Sequence, residues 1–280
     1  MKMLAMALAG AAMLVGCAGG GSRPAAVERM YVIECGENHV KDLSRFTGLE
    51  SDRGRAQVFS VNCYLIKHAK GWMLWDTGNA DRLAAMPNGM QTPISTAYMK
   101  KPLAESLKQL GVAPADIQHF ALSHFHGDHS GNANYFGAST LYMQQAEHDA
   151  IFGPEPQKYN APVANFEKLR GAKTVKLSGD HDVFGDGSVV IKSAPGHTPG
   201  HQVLFVRLPK SAPVLLSGDM VHIQSNWDAK RAPSFNFNGE QSVRSMNQID
   251  AFMKSTGARL WINHDMAQSQ AIPKAPAFVQ

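Results

Sequence analysis

The segment Ser123-His124-Phe125-His126-Gly127-Asp128-His129-Ser130-Gly131 constrains this chain more than any other feature. It sets three imidazoles and a carboxylate within six positions, directly after an apolar, strand-like run at 119–123. One His alone is more often a packed core residue than a ligand. Three beside an Asp at a strand end are not explained by packing, because neutral imidazole and carboxylate are the donors that borderline divalent metals prefer. His124 and His126 are two apart, so an extended backbone turns both to the same side. Gly127 is expected to let the chain turn sharply, so that Asp128 and His129 face a second ion beside the first.

Further single ligands are expected at other strand ends, where a rigid support holds a side chain over a sheet edge. Ala194-Pro195-Gly196-His197-Thr198-Pro199-Gly200-His201 sets His197 among turn-forming residues after a strand. Asp219 follows the buried run Leu215-Leu216, and His264 follows Leu260-Trp261-Ile262. His201 reads as the start of the next strand rather than a ligand.

The surrounding chain alternates strands and helices. Strands are expected at 30–35, 57–66, 72–75, 119–123, 139–143, 174–177, 188–192, 202–208, 214–216 and 259–262, with Lys70-Gly71 turning a hairpin. Helices are expected at 102–110, after 143 through Ala150, and at 241–254, where Val243, Met246, Ile249 and Phe252 recur at helical spacing. Residues 39–55 and 79–96 read as loops. Strands mixed with helices argue a layered α/β domain.

H-x-H-x-D-H, then G-H-T-P-G-H, then G-D and a late His resembles the pattern of the metallo-β-lactamase superfamily, and Asp76-Thr77-Gly78 matches that family's early D-x-G turn. The matches run from about residue 30 to 265. The resemblance implies an α/β, four-layer αββα sandwich with a dinuclear metal site on one edge of the sheets. His124, His126 and His197 would hold one divalent ion and Asp128, His129 and His264 the other, with Asp219 bridging and Asp76 in support. Zinc is the first expectation, although such His/Asp sites also accept iron, manganese or cobalt.

The implied chemistry is hydrolysis by a metal-bridging hydroxide, with Asp128 moving the proton to the leaving group. Asp219 argues against a true β-lactamase, whose families use Cys or Ser there. Residues 30–33, 61–66 and 75–78 look most like the N-acyl homoserine lactone lactonases, quorum-quenching enzymes that open a lactone ring. Those carry a Tyr three residues after the bridging Asp; here the position is His222, which can also donate a hydrogen bond to substrate. The same site acting on another ester, a thioester or a phosphotriester is the alternative, and a metal-binding scaffold without turnover is a third. Phe46, Met86, Met90, Met99, Trp227, Phe235 and Phe237 fall in expected loops and could line a channel for an acyl chain.

Charge excludes one class of partner. The net charge is +4, Lys100-Lys101 and Lys230-Arg231 are isolated basic pairs, and no basic stripe suits nucleic acid. The N-terminus suggests another. Lys2 precedes an apolar run at 4–15 that ends in Leu14-Val15-Gly16-Cys17. This fits a signal peptide over 1–16 and resembles a lipobox, with Cys17 lipidated and 17–28 a Gly/Ser-containing tether. The expectation is an exported protein on the periplasmic side, held at the outer membrane by its lipid anchor, with the hydrolase domain over 29–280. An oxidising compartment permits a bridge between Cys35 and Cys63, but both sit in strand-like runs, and two buried thiols are expected.

Overall fold

The computed structural model describes residues 26–280. The expected signal peptide, Cys17 and nearly all of the tether lie outside them. The last tether positions do not behave as a linker, because the first strand already begins at Val27. The strands among the described residues are β1 (Val27–Val40), β2 (Gln57–His68), β3 (Gly71–Trp75), β4 (Met90–Gln91), β5 (Ser95–Tyr98), β6 (Ile117–Ala121), β7 (Thr140–Gln144), β8 (Thr174–Leu177), β9 (His181–Asp182), β10 (Val189–Ser193), β11 (Gln202–Val206), β12 (Val214–Leu216) and β13 (Arg259–Trp261). The helices are α1 (Ser44–Thr47), α2 (Leu103–Gln109), α3 (Gly127–Ser130), α4 (Gln145–Phe152), α5 (Gln224–Asp228), α6 (Gly239–Thr256) and α7 (Met266–Gln270).

Eight strands form one sheet in the order β4-β5-β1-β2-β3-β6-β7-β8, and five form a second in the order β13-β12-β11-β10-β9. Successive side chains of a strand point to opposite faces, and both faces of the central strands are buried. In β2, Tyr64 and Ile66 face the second sheet, while Val61, Cys63 and Leu65 face α2 and α4. In β11, Leu204 and Val206 meet the first sheet, and Val203 and Phe205 meet α6. Two-sided burial explains why these strands read as continuous apolar runs. It also yields the expected αββα layering.

Topology then gathers the strand ends. β3 and β6 are parallel, so Asp76 and Ser123 emerge side by side. β12 and β13 are parallel, so Asp219 and His264 do likewise. β11 runs antiparallel to β12, which returns the loop before β11, with His197, to that same edge.

Several local expectations change. Residues 39–55 hold α1 as well as irregular chain, and 79–96 hold the short β4–β5 ribbon, which extends the first sheet at its edge. The His-rich segment opens not with a sharp glycine turn but with the single helical turn α3. Gly127 has no left-handed backbone, and an added Cβ there would meet no atom within 4 Å.

The two cysteines are corrected as well. Cys35 and Cys63 form a disulfide, with Cα atoms 5.8 Å apart. Sequence could not show that β1 and β2 are neighbours with Ile33 opposite Cys63, nor that an irregularity between Glu34 and Glu37 brings Cys35 across. The bridge closes a 28-residue separation, a loop length for which chain-entropy arguments give about 3 to 4 kcal/mol. Replacing both cysteines by Ser should therefore lower unfolding stability in urea by roughly that amount, and peptide mapping without reductant should recover the linked pair.

Candidate metal centre

All seven expected ligands meet on the shared edge. Donor atoms of His124, His126, His197 and Asp219 lie within 4.8 Å of one another, and those of Asp128, His129 and His264 form a second such group. Asp219 stands between them. Its Oδ1 is 3.0 Å from both His129 Nε2 and His264 Nε2. Its Oδ2 is 3.4 Å from His197 Nε2 and 3.7 Å from His124 Nε2. One oxygen faces each group, which is the arrangement a bridging carboxylate needs.

The far nitrogen of each ring decides which lone pair is bare. His197 Nδ1 lies 2.9 Å from Asn236 Oδ1, and His264 Nδ1 lies 2.8 Å from the Ser60 carbonyl. Both partners only accept, so both Nδ1 atoms donate and both Nε2 atoms present lone pairs to the site. Asp76 orders the other two. Its Oδ1 accepts from Ser123 N at 2.6 Å and its Oδ2 from Ser123 Oγ at 3.0 Å. His129 Nδ1 is 3.0 Å from Asp76 Oδ2, and His124 Nδ1 is 3.0 Å from Ser123 Oγ. With the Ser123 proton committed to Asp76, both imidazoles donate outward and turn bare Nε2 atoms inward. Asp76 itself has a left-handed backbone, φ 59°, which Asp tolerates better than most residues.

A cation fits this array. His126 Nδ1 lies 2.9 Å from His124 Nε2 and 3.0 Å from His197 Nε2. Three nitrogens so placed cannot all be satisfied by one another's protons. His129 Nε2 and Asp219 Oδ1 are buried and make no hydrogen bond, although they face each other at 3.0 Å. Buried polar atoms without partners are costly, and a metal ion supplies the missing partner for all of them.

The titration shifts agree. Burial holds His124 and His197 well below the ordinary imidazole range and lowers His126, keeping them neutral as ligands must be. At His129 burial opposes the charge, but the carboxylates of Asp219, Asp76 and Asp128 outweigh it and raise the ring well above its usual value. Burial would raise Asp219, yet His264, His129, His222 and His124 hold its carboxyl well below the ordinary range. Positive charge is thus favoured between these groups.

Neighbouring residues divide into those expected and those not. His201 lies directly before β11, and both of its ring nitrogens are engaged within the protein. Its Nδ1 donates to the Ala194 carbonyl, and its Nε2 accepts from Asp219 N at 2.9 Å. Burial pushes this ring down to about 3, which keeps that acceptor free. Gly218 makes the approach possible, since a Cβ there would lie 2.5 Å from Ser123 Cβ and 2.8 Å from His201 Nε2. His222 Nε2 lies 3.2 Å from Asp219 Oδ2, and its ring stacks on His264 at 5.6 Å. The other ring nitrogen, Nδ1, is buried without a partner.

Of the expected channel residues, Phe46 and Phe235 flank His222 at 5.2 and 6.0 Å, and Phe237 is the most exposed at 60%. Met90 and Met99 pack elsewhere with Leu83, and Trp227 packs against α6.

Two contacts were not foreseen. Asn38 Nδ2 donates to Asp128 Oδ2 at 2.8 Å. Glu147, 1% exposed, joins the loop holding His124 and His126 to the loop holding His197. The signal for Glu147 is present in the sequence: Ala150 and Ile151 follow at the helical spacing that marks a buried face. A carboxylate on such a face calls for a partner.

A family model for the metallo-beta-lactamase superfamily matches residues 56–254. The chain belongs to this superfamily. It is 30% identical over 263 residues to an N-acyl homoserine lactonase AttM of Rhizobium johnstonii, spanning 89% of this chain and 98% of that one. It is 26% identical to the N-acyl homoserine lactonase AiiA of Bacillus thuringiensis subsp. kurstaki, over 90% of this chain and 99% of the relative. Its fold is similar to that of a crystallised quorum-quenching N-acyl homoserine lactone lactonase, with TM-score 0.78 and 24% identity, covering 91% of this chain and all of the other. As a member of this superfamily with its His/Asp groups assembled, the chain is a metal-dependent hydrolase that uses divalent ions.

Asp76 anchors Ser123 and His129 at once. Asp76→Ala should weaken metal affinity by about 10- to 100-fold, as loss of a partner behind a ligand does. Competition against a chromophoric chelator measures it.

Proposed function

We propose that this hydrolase opens the ring of N-acyl homoserine lactones and does so with two zinc ions. The observation that carries the reading is the pair of ligand groups joined through Asp219, in a chain whose near-full-length relatives are named N-acyl homoserine lactonases. His124, His126 and His197 would hold one ion, Asp128, His129 and His264 the other, and Asp219 would bridge. When bound, such a pair lowers the pKa of a shared water and polarises the ester carbonyl.

The chain's own residues then complete the reaction. Water adds at the carbonyl carbon, the acyl–oxygen bond of the ring breaks, and the alkoxide leaves needing a proton. Asp128 is half-buried, with Oδ2 already held by Asn38, and is positioned to take the proton from the attacking water and return it to the alkoxide. His222 occupies the place of the lactonase Tyr. Its Nε2 lies on the site side of the ring, 3.2 Å from Asp219 Oδ2, and is the nitrogen that would donate to the substrate. Phe235, 41% exposed and packed on Phe46 at 5.2 Å, offers apolar surface to an acyl chain. The departure from Tyr at 222 also favours a second reading, in which the same site cleaves another ester, a thioester or a phosphotriester.

Proton release on acyl homoserine lactones of short and long chain, using zinc-loaded protein that starts near Ser22, tests this directly. Turnover should vanish in His126→Ala and with chelator, and His222→Phe should lower kcat more than it raises KM. Two bound ions without lactone turnover would sink the substrate assignment and leave the other esters to be assayed.

We also propose export and anchoring through Cys17. The support is the 4–17 pattern together with the Cys35–Cys63 bridge, which suits an oxidising compartment. Cys17→Ser should move the protein from the membrane pellet to the soluble fraction and abolish palmitate labelling; an unchanged distribution would remove the anchor.

A further inference from the structure

Glu147 is the third residue of α4, the helix that follows β7 directly. Its carboxylate is buried, and no cationic side chain pairs with it among the described residues. It is held by neutral donors alone. Oε1 accepts from Phe125 N at 2.8 Å and from Thr198 Oγ1 at 3.0 Å. Oε2 accepts from Thr198 Oγ1 at 2.8 Å and from Gly200 N at 2.9 Å. A buried carboxylate is expensive to keep, and an apolar residue would pack there without that cost. The donors show what it secures.

Phe125 stands between His124 and His126, and Thr198 follows His197. The first loop leaves β6 in one sheet, and the second joins β10 to β11 in the other. The contact is close: a Cβ on Gly200 would lie 2.4 Å from Glu147 N, so this loop rests on the helix backbone. One carboxylate therefore sets the spacing between His124 and His126 on one side and His197 on the other. The second group is held by other means, with Asp128 on Asn38, His129 on Asp76 and His264 on the Ser60 carbonyl.

We infer that Glu147 is a positioning residue that gives the His124–His126–His197 group its affinity for metal and leaves the Asp128–His129–His264 group unaffected. The inference rests on the two-ion reading. Glu147→Gln keeps the volume but turns an amide NH2 toward groups that themselves donate. Thr198→Val removes only the hydroxyl bond and leaves both backbone donors in place.

The test is metal binding by the folded protein, read by competition with a chromophoric chelator and by the absorption of bound cobalt(II). Glu147→Gln should bind one ion about tenfold more weakly, the lower end of the range for partners bonded directly to a ligand, and the other about as tightly as the parent. Its one-cobalt spectrum should match that of His197→Ala and not that of His264→Ala. Thr198→Val should weaken the same ion by a smaller factor. A folded Glu147→Gln that keeps both ions at parental affinity, or loses both together, overturns the inference. Should Glu147→Gln not fold, unchanged affinities in Thr198→Val overturn it instead. A parent protein that fails to bind two equivalents would refute the two-ion reading itself, which separates the two failures.

Discussion

Asp219 lies where imidazoles from two different sheets converge, and the rest of the centre follows from that meeting. One oxygen faces His129 and His264, and the other faces His197, His124 and His222. In their neutral forms His124, His129, His197 and His264 keep the proton on Nδ1 and turn the Nε2 lone pair toward this carboxylate. Such an array repels itself in a buried setting, where electrostatic interactions are strong. A divalent cation converts every one of those repulsions into a bond. The elevated His129 and depressed Asp219 express the same demand for positive charge.

Holding lone pairs inward requires that the rings be fixed from behind, and four of the five candidate ligand rings have such a partner. Asp76 serves His129 and, through Ser123, His124; Asn236 serves His197; the Ser60 carbonyl serves His264. His201 fixes the backbone of Asp219, and Asn38 fixes Asp128. Glu147 acts one level further out, on the loops rather than the rings. Because these partners come from β1, β2 and α4 as well as from loops, the site's geometry is tied to closure of the whole sandwich. Ligands supported in this way keep the spacing that catalysis requires.

Aromatic rings gather beside the donors around His222 and His264. Phe46 and Phe235 flank His222, while Met90 and Met99 pack into a cluster of their own around Leu83 and Met86 is exposed. The open space beside Gly127 leaves the approach over His126 and Asp128 free of any side chain from that position. Polar chemistry at the metals and apolar surface at their flank suit a substrate that joins an ester to a hydrocarbon chain.

The candidate ligands that the fold brings together were legible in the sequence because metal chemistry leaves few residue types to choose from, and strand ends are marked by apolar runs that stop at Asp or His. The layered fold was legible for a related reason: two-sided burial writes long apolar strands, and α6 shows its buried stripe at helical spacing. Short elements were not. Residues 39–55 and 79–96 carry α1 and the β4–β5 ribbon, which depend on neighbours distant in the chain. The Cys35–Cys63 bridge depends on which strands pair and on an irregularity in β1, and no local pattern records either. The helical spacing marks Glu147 as buried, but its partners lie 22 to 53 residues away and that of Asn38 lies 90 away, and no local pattern records them. By itself the sequence determined which atoms could bind metal, since that is a property of side-chain chemistry and local spacing. Only the tertiary structure decided which nitrogen of each ring faces inward and what holds it there, because hydrogen bonds between distant segments exist only once the two sheets have closed.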